Sequence, residues 1–406
     1  MLATLMVIAA LLLAGCAPAD PQERLERARE LRARGEPARA AAILADLAGR
    51  RPGDYAVHYE LALAWHEARR PTAALEAAGA AIEADPIAAD ARLLRGRILV
   101  SLGRDEEALD ELRRVVGSDP SRAGAHRLMA QIHARAGRLQ TAVNQYEREL
   151  AVNPDDAETL IDLGLFYMRA GRIAASADRL ERAVAAAPGS PRAHRALAEI
   201  RFKQLRQEEG LDLQRRALEL DPSDVDLLVD HARALYNYGH PDESRRLLET
   251  ALRDGVREVG LFIEISRQAE DRIDYEAAID ALERALEIDP EHAGAHLKIG
   301  KAYLRLNREE EAMAAFREAN RLAPTDPYPW FYIASILSAR GKLEEAVENL
   351  RRSLSLDPMN PKAHYQLAQA LLRLGRRAEA EAELARHAEI LERLRAKKQP
   401  GVASMD

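Results

Sequence analysis

The stretch that decides the fold is residues 290–324, which read PEHAGAHLKIGKAYLRLNREEEAMAAFREANRLAP and begin and end on proline. The distance from Pro290 to Pro324 recurs along the chain as a fixed period. Ten positions from 52 to 358 lie on this period and nine of them are proline, although the 406 residues include only 19 prolines. Such a period indicates one supersecondary unit that is stacked on copies of itself.

Each unit is predicted to be a pair of helices. The repeats begin at residues 21, 55, 89, 123, 157, 191, 225, 259, 293, 327 and 361. Proline at position 1 follows a capping residue, as in Asp20-Pro21, and proline at position 17, as in Pro37, opens a second helix. Position 15 is glycine in seven of eleven repeats, where a helix end needs a left-handed residue, whereas repeats 6 and 8 have Leu205 and Ile273 there. We therefore expect two helices of about 13 residues in each repeat.

Two positions of the repeat hold a small residue (Gly, Ala or Ser) in all eleven copies. Position 8 runs from Ala28 to Ala368, and position 20 runs from Ala40 to Ala380. Small side chains at one point on each helix let two backbones approach closely, while larger apolar residues fill the space around them. The pattern predicts that the two helices of a repeat touch at positions 8 and 20.

The repeat that matches a known pattern best carries Ile299-Gly300-Lys301-Ala302-Tyr303, Ala312, Phe316, Ala319 and Pro324. This pattern resembles the tetratricopeptide repeat (TPR), and the resemblance covers residues 21 to about 398. It implies an all-α fold, a right-handed α-α superhelix (a TPR solenoid) of about 11 helix-turn-helix repeats. It also implies that the first helix of each repeat lines a concave groove through positions 2, 5, 9, 12 and 13, and that this groove takes extended or helical partner segments.

Two runs of cations fall on these groove positions, one at position 13 of repeats 4–6 and one at position 9 of repeats 7–9. We expect each run to form a ladder that attracts an acidic, extended segment of another protein. Aromatic residues, Phe202 and Tyr236 among them, with Tyr59, Phe331 and Tyr365, also occupy groove positions and are expected to be partly exposed anchors. The alternative is that Glu199, Asp230, Glu264 and Glu270 neutralise the cations. The cations are Arg135, Arg169 and Lys203 in the first run and Arg233, Arg267 and Lys301 in the second.

The N-terminal residues predict a membrane anchor. Residues 1–15 contain no charged side chain, and their apolar run of about 13 residues is shorter than the roughly 20 that span a bilayer, so they are interpreted as a signal peptide. The run ends Leu13-Ala14-Gly15-Cys16, which resembles the lipobox of bacterial lipoproteins. That resemblance implies cleavage before Cys16 and lipid (palmitate) on Cys16, and the following Ala17 favours the outer membrane, facing the periplasm. The alternative is an apolar anchor with a chance cysteine.

Residues 16–20 are then the lipidated cysteine and a short tether, residues 21–398 the repeat array, and residues 399–406 a tail expected to be disordered.

Catalytic, metal and cofactor sites are not predicted. The chain has one cysteine, so an internal disulfide or a Cys-based zinc site is excluded. It has no Gly-rich phosphate loop, HExxH or GxSxG motif. Histidine recurs at position 4 in five repeats, but never in adjacent ones, so these side chains are too far apart for one metal ion. A net charge of −7 gives no support for nucleic-acid binding.

These observations favour a membrane-anchored, non-enzymatic TPR scaffold that mediates protein–protein interaction. Its expected place is the assembly of a bacterial envelope complex of the pilus, secretion or polysaccharide-export type. Two alternatives stay open: an adaptor that regulates an envelope hydrolase or protease, and a cytoplasmic TPR adaptor if the leader is not processed.

Overall fold

A computed structural model describes residues 20–398, with side chains as far as Arg395. The expected signal peptide (1–15), Cys16 and its tether as far as residue 19, and the tail 399–406 lie outside the described residues. Within residues 20–398 the chain forms 22 helices and no strand, arranged as consecutive pairs. The expected all-α fold of paired repeats is therefore confirmed.

The helix bounds repeat with the period of the sequence. The odd-numbered helix is the first of each repeat and the even-numbered helix is the second. The first helices are α1 (Pro21–Ala33), α3 (Tyr55–Glu67), α5 (Ala89–Ser101), α7 (Ala125–Arg135), α9 (Ala157–Arg169), α11 (Pro191–Lys203), α13 (Val225–Asn237), α15 (Val259–Asp271), α17 (Ala293–Arg305), α19 (Pro327–Ala339) and α21 (Pro361–Arg373). The second helices are α2 (Pro37–Arg50), α4 (Pro71–Ala84), α6 (Asp105–Ser118), α8 (Leu139–Val152), α10 (Ile173–Ala186), α12 (Gln207–Leu220), α14 (Pro241–Arg253), α16 (Tyr275–Ile288), α18 (Glu309–Leu322), α20 (Leu343–Leu356) and α22 (Arg377–Lys398).

Local sequence accounts for where the helices begin and end. Side chains such as Asp54, Asp156 and Ser190 accept hydrogen bonds from the first free backbone N–H groups of α3, α9 and α11. The residue at position 15 has a positive φ in every repeat, whether or not it is glycine. The non-glycine cases are Arg69, Leu205, Ile273 and Asn307, with φ of 56°, 60°, 64° and 58°. The inter-helix turn therefore imposes its backbone conformation on the residue that the sequence supplies.

The two helices of each repeat cross at the small residues, as the sequence predicts. All 22 residues at positions 8 and 20 are buried. In two repeats the contact is a hydrogen bond, because Ser176 Oγ donates to the Gly164 carbonyl oxygen at 2.8 Å and Ser244 Oγ donates to that of Ala232 at 2.6 Å. Gly300 at position 8 leaves room for the Phe316 ring, which a Cβ at that position would meet at 2.5 Å.

The chain divides into two compact units, one that ends at Leu213 and one that begins at Gln214, inside α12. In unit 1, the described buried apolar residues form separate clusters in repeats 1–3, 3–4 and 4–6. In unit 2, they form clusters in repeats 7–8, 8–9 and 9–11. Each cluster lies within a few neighbouring repeats, as expected when a repeat contacts mainly its neighbours.

The position 4 histidines have a structural role in several repeats. Nε2 of His58, His296 and His364 lies 3.0, 3.2 and 3.1 Å from the carbonyl oxygen of the proline six positions earlier. Each of these prolines lies on the repeat period, in the loop before a repeat. The histidine therefore links that loop to the first helix of the repeat.

Candidate partner-binding surfaces

The first helices of neighbouring repeats meet through position 9 of one repeat and position 6 of the next. Side chains at these positions are hydrogen-bonded in four places: Arg29 to Glu60 at 2.7 Å, Gln131 to Asp162 at 2.7 Å, Arg233 to Glu264 at 3.0 Å, and Ser335 to Gln366 at 2.9 Å. Polar groups on this face therefore hold repeats together as well as face solvent. The two residues of each pair are 31 positions apart in the sequence, a spacing from which no contact was predicted.

The position 9 cations of repeats 7 and 8 are neutralised at this contact. Glu264, only 1% exposed, accepts hydrogen bonds from Arg233 at 3.0 Å and from Arg267 at 2.6 Å. Burial alone would raise the pKa of the Glu264 carboxyl, but hydrogen bonds from Arg267, Gln268 and Arg233 hold this pKa below its usual value. For Arg233 and Arg267, the structure therefore agrees with the alternative in which a nearby acid neutralises the cations.

The third residue of that run differs from the first two. Lys301 is exposed, and it has no hydrogen-bond or ion-pair partner among the described residues. Position 6 of the next repeat is Tyr332 instead of an acid. Of the three cations, only Lys301 keeps an unpaired charge in the described part of the chain.

The position 13 run in unit 1 is also divided. Arg135 donates to the Val100 carbonyl oxygen at 3.2 Å and to Asp105 at 2.6 Å. Arg169 and Lys203 are exposed and lack a hydrogen-bond or ion-pair partner within residues 20–398. Arg135 and Arg169 line one pocket, whereas Lys203 is not among its lining residues.

This pocket, which we call the repeat 3–6 pocket, is an open cavity of about 640 Å³ in unit 1. Apolar side chains form much of its wall, and Leu139 on that wall is 55% exposed. Asp162 is buried in the wall and accepts hydrogen bonds from Gln131 and Arg192 at 2.7 and 2.6 Å. The lining is Val100, Gln131, Ala134, Arg135, Leu139, Tyr146, Asp162, Leu165, Phe166, Arg169, Ala170 and Arg192.

Seven of these twelve lining residues stand at the expected groove positions, although only Arg135 and Arg169 were predicted by name, and the remaining five come from other positions in or directly after the first helices and from one second helix. On α9, Leu165 stands at groove position 9, whereas its neighbour Phe166 stands at position 10, which was not expected to line the groove. Phe166 is 7% exposed, so its ring supports the pocket wall from within.

The aromatic residues expected to be groove anchors have different environments. Tyr365 is 47% exposed, as expected, whereas Phe331 is only 9% exposed and belongs to the core, so the expectation was wrong for Phe331. The Tyr236 ring lies under the Arg267 guanidinium, 5.1 Å from its centre. The half-buried Phe202 ring packs against Gly210, where an added Cβ would collide with it. Tyr59, also half-buried, stacks on Tyr55 with ring centres 5.7 Å apart.

Two further findings concern metals and membranes. Among the described side chains, no group of three or more His, Cys, Asp or Glu residues comes together as a metal site would require. No helix within residues 20–398 is both long enough and apolar enough to cross a membrane.

Family models match most of the repeat region. A model described as "TPR repeat" matches residues 334–375. Two models described as "Tetratricopeptide repeat" match residues 133–200 and 271–330 and residues 25–81 and 67–123. A search of curated proteins found no match.

Three of the solved structures that this chain resembles come from bacteria. A thermophilic TPR protein of Thermus thermophilus is 26% identical, with 45% of this chain and 99% of that chain covered and a TM-score of 0.41. The protein pilF of Pseudomonas aeruginosa is 20% identical, with 52% and 95% covered and a TM-score of 0.44. A tetratricopeptide repeat protein of Parabacteroides merdae is 17% identical, with 62% and 98% covered and a TM-score of 0.45.

Proposed function

We propose that this chain, which is a tetratricopeptide repeat protein, is a non-catalytic scaffold that binds partner proteins in the assembly of a bacterial envelope complex. The observation that carries the proposal is the unpaired, exposed Arg169 at the open repeat 3–6 pocket. A cation without a partner beside an apolar wall suits a partner segment that offers an apolar side chain next to a carboxylate.

The acids on the same face support binding rather than catalysis. Glu60, Asp162 and Glu264 are the buried acids at position 6, and each accepts a hydrogen bond from the repeat before it. An acid engaged in this way holds two repeats in register and is not free to accept a proton from a substrate. We therefore assign these carboxylates to the framework that keeps the binding surface rigid.

The envelope location rests on the leader sequence. Lipid on Cys16 would place the array at a membrane surface, because only Ala17, Pro18 and Ala19 separate Cys16 from the Asp20 cap of α1. At about 3.3 Å per residue, this tether reaches on the order of 10–13 Å. Several acyl chains anchor a protein stably, whereas a single chain does not.

The anchor is tested by labelling cells with radioactive palmitate. Label should enter the wild-type protein and be lost in Cys16→Ala. Label that persists in Cys16→Ala contradicts the assignment of Cys16. A wild-type protein that takes no label and stays in the cytoplasm favours the cytoplasmic adaptor.

The binding surface is tested by cross-linking and co-purification from envelope fractions. Arg169→Glu should lose the partner, whereas Arg148→Glu, a matched reversal at an exposed position of α8, should keep it. A partner that belongs to a multi-protein envelope assembly supports the scaffold. If the partner is a murein hydrolase or protease whose activity changes on binding, the regulatory adaptor is the correct function. Retention by Arg169→Glu would exclude the repeat 3–6 pocket as the binding surface.

A further inference from the structure

The first helices of repeats 9–11 differ from most other first helices in their charge. α17, α19 and α21 contain no Asp or Glu, whereas each of the other first helices except α7 carries at least one. Their charged side chains are five cations, so their formal charge is +5 on a chain whose net charge is −7. These cations are Lys298, Lys301, Arg305, Lys362 and Arg373.

The second helices of repeats 9 and 10 have the opposite balance. α18 and α20 together carry seven acids and four cations. These acids serve several outward ion pairs, such as Arg308 with Glu311 at 2.9 Å and Arg340 with Glu309 at 3.1 Å. In repeats 9 and 10, acids therefore exceed cations on the second helices, whereas the charged side chains of the first helices are all cations.

None of the five cations is neutralised by a carboxylate in the described part of the chain. Lys298, Lys301 and Arg305 follow one another at i, i+3 and i+7 on α17, so they share one face, and none has a hydrogen-bond or ion-pair partner among the described residues. Arg373 donates only to the Ser338 carbonyl oxygen, at 2.9 Å. In repeats 7–8, by contrast, Glu264 holds the two arginines at position 9.

Aromatic side chains accompany these charges. Tyr328 is 49% exposed and Tyr365 is 47% exposed, on α19 and α21. Burial raises the pKa of the Tyr332 phenol on α19, and the Arg305 charge opposes this rise. The three helices therefore offer unpaired cations, which can bind carboxylates, and half-exposed tyrosines, which can pack against side chains.

We propose that α17, α19 and α21 form a docking surface for an acidic, extended peptide segment of the partner. The proposal rests on the proposed function, since it names the chemistry of a partner segment that the scaffold would hold. Adjacent first helices lie roughly 8–10 Å apart, so three of them span about 16–20 Å. An extended chain of about five or six residues covers that distance.

The physical basis is charge complementarity. Five like charges without counter-charges repel one another, and an acidic ligand removes this repulsion while the cations exclude a basic one. The interaction involves partly exposed groups, so it must weaken as salt is added.

The test uses the full chain and a fluorescein-labelled peptide of about twelve alternating Glu and Leu residues, with anisotropy as the readout. The triple variant Lys298→Glu, Lys301→Glu and Arg305→Glu should bind this peptide at least about tenfold more weakly than wild type. The matched control is Arg284→Glu, Arg317→Glu and Arg352→Glu, which makes the same charge change at exposed, unpaired positions of α16, α18 and α20 within the described chain. It should bind within about threefold of wild type. A version of the first triple with glutamine at all three positions should also lose binding, and circular dichroism should show unchanged helix content.

Several results would overturn the proposal. One is that wild type does not bind the peptide at low salt. Another is that the two triple charge reversals weaken peptide binding equally. A third is that a peptide with Gln in place of Glu binds as tightly as the acidic peptide. Tighter binding of polygalacturonate than of the peptide would assign the surface to an acidic polysaccharide instead. If the peptide fails while Arg169→Glu still abolishes co-purification, this inference falls and the proposed scaffold function stands.

Discussion

Nε of Arg233 donates a 3.0 Å hydrogen bond to the carboxylate of Glu264, a residue 31 positions later and only 1% exposed. The pair links α13 to α15, the first helices of repeats 7 and 8. Arg267 reaches the same carboxylate from within α15. Arg233 and Arg267 were expected to bind a partner, but both donate hydrogen bonds to one buried acid, Glu264, at the contact between two repeats.

Glu264→Gln should destabilise unit 2. The amide keeps the shape of the side chain but loses the charge that holds Arg233 and Arg267, and its NH2 group, a donor, replaces one of the two acceptor oxygens that these arginines share. We expect a cost of about 1–3 kcal/mol in the free energy of unfolding, measured by urea denaturation. Glu270→Gln on the same helix, where the structure describes no ion pair, should cost less than about 0.5 kcal/mol. Equal costs would show that the Glu264 contacts add nothing to stability.

Ala312→Leu should destabilise repeat 9, because Ala312 is completely buried at the helix crossing and extra bulk cannot be accommodated there. Overpacking of this kind costs about 1–3 kcal/mol. The matched control is Ala314→Leu, an exposed position of the same helix α18, which should be nearly neutral. A change at Glu309 is a poorer control, because Glu309 pairs with Arg340 at 3.1 Å. If both leucine variants melt at the wild-type temperature, positions 8 and 20 are not a close crossing.

Ile273→Gly should stabilise the protein. Ile273 has a φ of 64° and is 73% exposed, so a β-branched residue occupies a left-handed turn while burying little surface. The left-handed conformation costs a non-glycine residue about 1–2 kcal/mol, and part of the gain is lost to the flexibility of glycine in the unfolded chain. We expect a net gain of about 0.5–1 kcal/mol in chemical unfolding.

The reverse change, Gly341→Ala at the same repeat position with φ of 77°, should cost about 1 kcal/mol. A loss of stability in Ile273→Gly would mean that the Ile273 side chain contributes packing that outweighs its backbone strain.

His231 should make unit 2 sensitive to acid. Burial lowers the pKa of His231 to about 4, and the Arg215 charge acts in the same direction. The unfolded value is about 6.5, so the unfolded state binds more protons between about pH 6.5 and 4. The contribution is fully present above about pH 6.5 and is lost as the pH falls towards 4, by up to roughly 3 kcal/mol.

The measurement compares urea unfolding of wild type and His231→Gln at pH 7 and pH 4.5. Carboxylates common to both proteins cancel in the difference, so wild type should lose more stability than the variant over this interval. Identical pH dependence would place His231 in contact with water.

The sequence by itself determined the repeat. Proline, capping residues and small residues act within one or two turns of their own helix, so their spacing predicted the helix pairs and the crossing that Ser176 and Gly164 make. It also predicted that Leu205 and Ile273 stand at the inter-helix turn, and the structure gives both a positive φ. These features are local, because each depends on backbone geometry inside a single repeat.

Only the tertiary structure decided which cations are unpaired. Whether Arg233 is paired depends on a carboxylate one repeat away, and the exposure of Phe331 depends on how its neighbours pack around it. Position in the repeat could not separate Arg267, held by Glu264, from Lys301, which has no described partner. The physical reason is that charge neutralisation and burial are properties of side chains from different repeats, and a pattern read along one repeat does not contain them.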